Sequence, residues 1–340
     1  MQLVLDTDGI ALKQQDGNFV VAFEEQNRLI SPHKITSIAI TSHALISSAA
    51  IRLAVEHDIV IYLHHPSTGK VQARMHSVYS ANLPDIRRKQ VLFAFDTAST
   101  AWVIGLFKLK RQHQADNLAF LKNRKPLLAA DMDKALADTE GVLLQFSNWE
   151  KTLIEDCRNN LLGIEGSLAR AYWRMVGEAI GDPSVFDGRN RRPATDTFNA
   201  ALNYAYGMLY GIVERAILAA GLDPQLGFFH VDDYAKPTLA FDFIEPFRPW
   251  LDRMLIEAFL NGQFSASFFE LAQGTENGVW LSKDGKRWLI PLLNAWIGEK
   301  TPFNGRLLTR QTHIFRFAGE FVQTLRQFEF IPRPQRGDSG

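Results

Sequence analysis

The sequence predicts an α+β protein in which a small N-terminal β-rich domain, residues 1–80, precedes a larger all-α C-terminal catalytic domain, residues 87–330. Two observations carry this prediction. Up to about residue 80, apolar residues come in short runs or strict alternation, punctuated by turn signals such as Asp8-Gly9 and Asp16-Gly17. Beyond Ala81 to Pro84 they recur instead at a helical period over long stretches. The 340-residue length suits two domains; residues 81–86 then read as a linker, and 331–340, carrying Pro, Arg and Gly, as a flexible tail.

Taken in order, Val4-Leu5, Ile10 to Leu12 and Phe19 to Phe23 read as strands. Ile35 to Ile40 alternates like a half-buried strand, and Ser47-Ser48 caps a short helix whose Ala49, Ile51, Leu53, Ala54 and Val55 are apolar. Asp58 to Leu63 follows as a buried strand closed by Pro66-Ser67-Thr68-Gly69. Only His57, His64 and His65 offer chemistry here, and adjacent His64 and His65 point to opposite faces of a strand. The segment reads as a scaffold or dimerisation domain. Helical periodicity then covers 85–121, 126–161, 165–180, 195–220, 250–261 and 306–328. Breaks fall at Pro126, Gly181-Asp182-Pro183 and Gly221-Leu222-Asp223-Pro224, and a hairpin is expected at Val279 to Ile290, turning at Asp284-Gly285.

Composition bounds the function. Apolar residues make up 46% and charged residues 22%, as in ordinary globular proteins. The single Cys157 forms no internal disulfide, which fits a reducing compartment. The start lacks a signal peptide's pattern, and no apolar run approaches the roughly 20 residues of a membrane span, so a cytoplasmic protein without a membrane partner is expected. With 37 basic and 37 acidic residues, the chain is not a whole-surface electrostatic binder of DNA. Local clusters at Arg87-Arg88-Lys89, at Lys108, Lys110, Arg111, Lys122, Arg124 and Lys125, and at Arg189, Arg191 and Arg192 raise the expectation of a basic groove. Taken singly, each is accounted for by a solvated face.

Three distant segments set ionisable residues among apolar neighbours: Gly163 to Trp173, Leu226 to His230, and Asp242 to Pro249. Glu165 is read as opening a helix, with Leu168, Ala169 and Tyr172 on its own stripe; alone, a glutamate offsetting the helix dipole accounts for it better than ligation does. His230 after Gly227-Phe228-Phe229 is, alone, a hydrogen-bonded core histidine. Asp242 and Glu245 share a face if their stretch turns helically, and a cap plus an ion pair to Arg248 or Arg253 explains them equally well. Jointly these explanations weaken, because one cation satisfies every buried charge at once. Carboxylates with a single imidazole favour Mg²⁺ or Mn²⁺ over zinc, and a non-haem iron site would reverse the count of His and carboxylate. Such an ion suits phosphoryl chemistry. The residues leave Asp242 and Glu245 open as alternative ligands. The tail string Gly337-Asp338-Ser339-Gly340 resembles a protease motif but has no matched His and Asp, and no Walker loop, dinucleotide fingerprint or CxxC is present.

The ordered set resembles the CRISPR-associated endonuclease and integrase family, the first-numbered CRISPR-associated protein of spacer acquisition. The resemblance rests on Glu165-Gly166…Ala169…Tyr172-Trp173, Arg189 to Asn199-Ala200…Leu202, Gly227-Phe228-Phe229-His230 and Asp242 to Pro249. It extends to the Gly221 to Pro224 turn and the Ile46 to Ile51 segment, and so covers nearly the whole chain. The resemblance implies metal ligands at Glu165, His230 and Glu245, which are also the catalytic residues, with Asp242 as a supporting acid. It implies a homodimer paired through the β domains and working with the small second CRISPR-associated protein. Their complex would join the 3′ hydroxyls of a short foreign double-stranded DNA to the ends of a CRISPR repeat by transesterification. Arg189, Arg191, Arg192, Lys236 and Arg248 are the candidate DNA contacts. Many relatives place Gly-Arg where this chain has Ala235-Lys236-Pro237, so a lysine point charge replaces a guanidinium fork. Alternatives are a metal-dependent nuclease without integration activity and a catalytically silent DNA-binding architectural subunit.

Overall fold

The N-terminal apolar runs become strands because each has one face to bury. The computed structural model describes residues 1–65, 71–77, 84–190, 193–230, 236–271 and 277–330. It divides into two compact units, Met1–Asn82 with Ile297–Thr309, and Leu83–Trp296 with Arg310–Gly340. The first contains β1 (Gln2–Leu5), β2 (Ala11–Gln15), β3 (Asn18–Phe23), β4 (Gln26–Ile30), β5 (Ser37–Ile40), β6 (Leu45–Ile46), α1 (Ser48–Glu56), β7 (Val60–His64) and β8 (Val71–Met75). One sheet has the order β1-β5-β7-β8 and the other β4-β3-β2-β6. Asp16-Gly17 turns the β2–β3 hairpin, with Gln15 opposite Asn18. Leu5, Leu12, Phe19, Ile38, Ile40, Leu53 and Ile61 share one core between the sheets and α1. Ser47 Oγ accepts from Ala50 N (3.2 Å), the expected cap of α1. The closing segment read at Pro66 to Gly69 lies outside the described residues.

The second unit is mostly helical: α2 (Pro84–Ala94), α3 (Thr97–Arg124), α4 (Ala129–Leu144), α5 (Ile154–Ile180), α6 (Thr197–Ala219), α7 (Thr238–Phe243), α8 (Arg248–Leu260), a two-stranded sheet of β9 (Phe269–Leu271) and β10 (Val279–Leu281), then α9 (Lys283–Gly298) and, after the hairpin β11 (Lys300–Phe303) and β12 (Arg306–Thr309), α10 (Arg310–Gln327). The β11–β12 hairpin groups with the first unit, a partition that periodicity alone did not reveal. Among the described residues no single helix is long and apolar enough to cross a membrane.

Several local expectations are corrected. Glu165 does not open a helix: α5 runs unbroken from Ile154 to Ile180, so Glu165 sits in its middle and the helix-dipole explanation falls. Asp284-Gly285 is not a hairpin turn but the first turn of α9, where Ser282 Oγ accepts from Gly285 N (3.2 Å). Gly285 is required there because an added Cβ would overlap the Phe268 carbonyl. The stretch 85–121 breaks before Asp96, whose carboxylate accepts from Ala98 N (2.9 Å) and starts α3.

Several lysines and arginines of the basic clusters are engaged within the fold. Lys89 donates to Arg326 O (2.7 Å) and Phe328 O (3.0 Å), closing the end of α10. Lys108 pairs with Glu150 (2.7 Å), Lys122 pairs with Asp133, and Lys110 and Arg111 are buried.

Candidate active site

One stripe of α3 organises the site. Lys110, His113 and Asn117 lie three and four residues apart and are all buried. His113 Nδ1 meets Pro246 O (2.7 Å), and Asn117 Nδ2 donates to Pro249 O (2.8 Å). These bonds pin the proline-bounded turn Glu245–Phe247 and the start of α8 against α3, and thereby fix the backbone of Glu245.

Glu165 from α5 and Glu245 from that turn then converge on a single cation. Lys110 Nζ donates to Glu165 Oε1 (2.5 Å) and to Glu245 Oε2 (2.6 Å). Arg248 Nη2 lies 3.3 Å from Glu245 Oε1, the ion pair that spacing allowed, whereas Arg253 pairs with Glu257 instead. Arg248 also donates to the Tyr210 hydroxyl (2.5 Å) and lies over the Tyr206 ring, 5.1 Å from its centroid. Burial penalises the Glu245 carboxylate, but Arg248 and then Lys110 outweigh it and bring its pKa down to about 2. Burial likewise opposes the Lys110 charge, yet Glu245 and Glu165 leave its pKa above the ordinary lysine value. Glu245 is therefore held as a carboxylate at the point where it meets Glu165 on one ammonium.

His230 ends a loop gripped on three sides. Asp242, on α7, is buried, and its Oδ2 accepts from Phe228 N (2.7 Å) and Phe229 N (3.0 Å). Its Oδ1 accepts from His230 N (3.1 Å) and from His230 Nδ1 (2.7 Å). Arg158, two turns before Glu165 on α5, donates to Phe229 O (2.9 Å) and Phe228 O (3.3 Å). The Phe228 ring packs edge-on against Phe93 and Trp102, with centroids 5.3 and 5.4 Å away. Gly227 is obligatory, since a Cβ there would lie 2.7 Å from the Thr238 carbonyl carbon. With Nδ1–H committed to Asp242, the His230 Nε2 keeps its lone pair. Asp242 thus has every lone pair in use and orients the histidine.

This donor set suits a divalent cation: two carboxylates and an imidazole with a fixed tautomer. Among the described residues, however, no three His, Cys, Asp or Glu side chains form a group that could hold a metal ion. The ammonium of Lys110 stands where the two glutamates meet, while His230 lies within electrostatic reach of the Glu245 carboxylate.

A cleft of about 740 Å³ opens beside Lys110, Glu165 and Arg248 and follows one stripe of α5, lined also by Arg170, Arg189 and Asp252. Neither His230 nor Glu245 lines it. Arg189 is tied to α6, donating to Asn199 Oδ1 (2.6 Å) and Asn203 Oδ1 (2.8 Å). Lys236 is exposed, and Arg191 and Arg192 lie outside the described residues. Buried Arg248 Nε has no hydrogen-bond partner among the described residues, so an anionic oxygen reaching it would relieve an unmet donor. At the back of the cleft, Tyr206 donates to buried Asp252 (2.5 Å). Burial pushes the Asp252 pKa up to about 7 despite that bond.

Sequence reasoning missed Lys110 and Arg158. Lys110 sits in a run, Lys108-Leu109-Lys110-Arg111, that looks like a solvated face. Its signal was the stripe it forms with His113 and Asn117, three polar residues at helical spacing on one buried face of α3.

The family model described as CRISPR associated protein Cas1 matches residues 3–295. The chain is 30% identical over 339 residues to "CRISPR-associated endonuclease Cas1 1" of Archaeoglobus fulgidus, covering 96% of each. Its fold resembles that of a casposase bound to integration product, with a TM-score of 0.78, 24% identity and coverage of 98% of this chain and 96% of that one. It also resembles a chain of a Cas6-RT-Cas1–Cas2 complex, with a TM-score of 0.77 and 19% identity over 98% of this chain and 36% of that one.

Proposed function

The chain belongs to the Cas1 family of CRISPR-associated proteins, and on that premise we propose that it is a divalent-cation-dependent DNA endonuclease and integrase of CRISPR adaptation. One observation carries the reading: Glu165 and Glu245, distant in sequence, meet on one cation position. Beside them, Asp242 holds His230 in the tautomer that leaves Nε2 free to ligate. Glu165, Glu245 and His230 would hold the ion, Mg²⁺ or Mn²⁺. When bound, it would supply Lewis-acid polarisation of a phosphoryl oxygen and lower the pKa of the attacking hydroxyl.

The protein's own side chains do the rest. Asp242 and Arg158 hold the His230 loop from its N–H and carbonyl sides, so the imidazole does not reorganise during reaction. Arg248, whose Nε has no hydrogen-bond partner among the described residues, would meet a phosphate oxygen at the cleft. Arg170 lines the same cleft. In the joining reaction a DNA 3′ oxygen forms a new bond to a repeat phosphorus and loses its proton. The phosphorus–oxygen bond within the repeat breaks, and its leaving oxygen takes up a proton as a new 3′ hydroxyl. Bond count and charge balance without an energy-rich cofactor.

The casposase and Cas1–Cas2 likenesses support DNA and a small Cas2-type protein as partners. Homodimer pairing through the β-rich unit and a cytoplasmic location complete the proposal. A second reading, a DNA-binding subunit without catalysis, is favoured by one fact: Lys110 already satisfies both glutamates. A strand-transfer assay with repeat DNA, a 3′-hydroxyl duplex, the partner protein and Mg²⁺ or Mn²⁺ separates the two. Joining abolished by His230→Ala and by EDTA, with DNA binding retained, supports catalysis. Unchanged joining in His230→Ala removes the proposed site.

A further inference from the structure

We propose that Lys110 is a displaceable internal cation, which holds Glu165 and Glu245 together when no divalent ion is present and gives up at least one of them when such an ion binds. The inference rests on the divalent-cation reading above and assigns a role to a residue outside the ligand set.

Distances leave little choice. The Lys110 ammonium stands 2.5 Å from one carboxylate and 2.6 Å from the other, between two of the groups that would hold the ion. An ion and an ammonium cannot occupy that position together. Charge leads to the same result. Glu165 and Glu245 are matched by Lys110 and Arg248, so the buried group is already neutral. Adding two positive charges without moving Lys110 would leave them uncompensated where the Glu245 and Lys110 side chains are only 7% and 11% exposed.

The carboxylates are the poorer candidates for movement. Glu245 is fixed by the bonds from His113 and Asn117 to the Pro246 and Pro249 carbonyls, and Glu165 sits mid-helix on α5. Lys110 is a single charge on a flexible four-carbon stem. Its way out is the cleft, which it lines and toward which the Glu165 side of the bridge is more open, at 24% exposure. An ammonium released there faces the space assigned to nucleic acid, so ion binding would add a phosphate-pairing charge to the cleft as it fills the ligand position.

The test is a titration of the full-length, nucleic-acid-free protein with Mn²⁺, followed by calorimetry and by the paramagnetic resonance of free Mn²⁺. Lys110→Met removes the competing charge while keeping the stem, and should tighten Mn²⁺ binding by at least about tenfold. It should also lower the melting temperature without metal, and Mn²⁺ should restore it. Unchanged or weaker Mn²⁺ binding by folded Lys110→Met overturns the proposal. The wild type gives an independent reading should the variant fold poorly. Acetylation of the Lys110 amine, read by mass spectrometry, should rise several-fold with Mn²⁺, and unchanged reactivity also overturns the proposal. Glu165→Gln distinguishes the failures. Mn²⁺ binding undiminished in Glu165→Gln removes the metal site itself, whereas binding lost there but not tightened in Lys110→Met removes only the role of the lysine.

Discussion

Replacing Asp242 with asparagine isolates how the site sets the state of its histidine. Each carboxylate oxygen accepts two hydrogens: Oδ2 from Phe228 N and Phe229 N, and Oδ1 from His230 N and Nδ1. Asparagine must put an NH₂ where one oxygen stood. Facing Phe228 and Phe229, that group would orphan two backbone donors. Facing His230 it orphans only one, provided the imidazole moves its proton from Nδ1 to Nε2 and accepts from the amide. The second arrangement is favoured, and it costs about 1–3 kcal/mol for the buried N–H of His230 left unpaired. It also places a proton on the nitrogen assigned to the metal. Asp242→Asn should therefore remain folded, lose about 1–3 kcal/mol in denaturant melts, and bind Mn²⁺ about 10–100-fold more weakly. Nitrogen-15 NMR of the imidazole reads the tautomer directly. Mn²⁺ affinity within about twofold of wild type, with Nδ1–H retained, would refute the argument that Asp242 acts by fixing His230.

Further outcomes follow from the same contacts. Gly227→Ala would push a methyl into the Thr238 backbone, so it should destabilise by about 1–3 kcal/mol in denaturant melts and weaken Mn²⁺ binding by displacing the His230 loop. Asp252 has its folded-state pKa raised from 3.8 to about 7 by burial, with Tyr206, Lys110, Tyr172 and Arg189 acting in the opposite direction. Between those values the folded chain holds a proton the unfolded chain has released, so stability falls as pH rises, by about 4 kcal/mol in all, and is flat above. Asp252→Asn should abolish that slope in denaturant melts taken from pH 4 to 8, and parallel profiles would contradict the assignment. Arg158→Leu leaves the Phe228 and Phe229 carbonyls without their guanidinium partner. It should weaken Mn²⁺ binding with little change in DNA affinity measured by gel shift.

The fold class was legible because its signals are local. The Asp16-Gly17 turn and the Ser47 cap each act within a few residues, and each formed as read. Where a local signal competed with packing, packing won. Glu165 reads as opening a helix, but the buried face of Ile164, Leu168 and Tyr172 carries α5 straight through. Asp284-Gly285 looked like a turn until Ser282 capped a helix over it. In the site, the sequence supplied the residues but not their roles. Asp242 and Glu245 share a segment and a charge, and only the fold sends one under the backbone of Phe228 to His230 and the other to Lys110. Lys110 and Arg158 act across 135 and 71 positions of chain, distances over which no sequence period carries information.

Mn²⁺ anomalous scattering from crystals of the protein locates the ion relative to Glu165, Glu245, His230 and Lys110. A peak is expected at about 2.0–2.3 Å from oxygens of Glu165 and Glu245 and from Nε2 of His230, with Nδ1 still on Asp242 and the Lys110 ammonium moved off at least one glutamate. A peak elsewhere, or none, with Lys110 still joining both glutamates in saturating Mn²⁺, would contradict the proposed metal site.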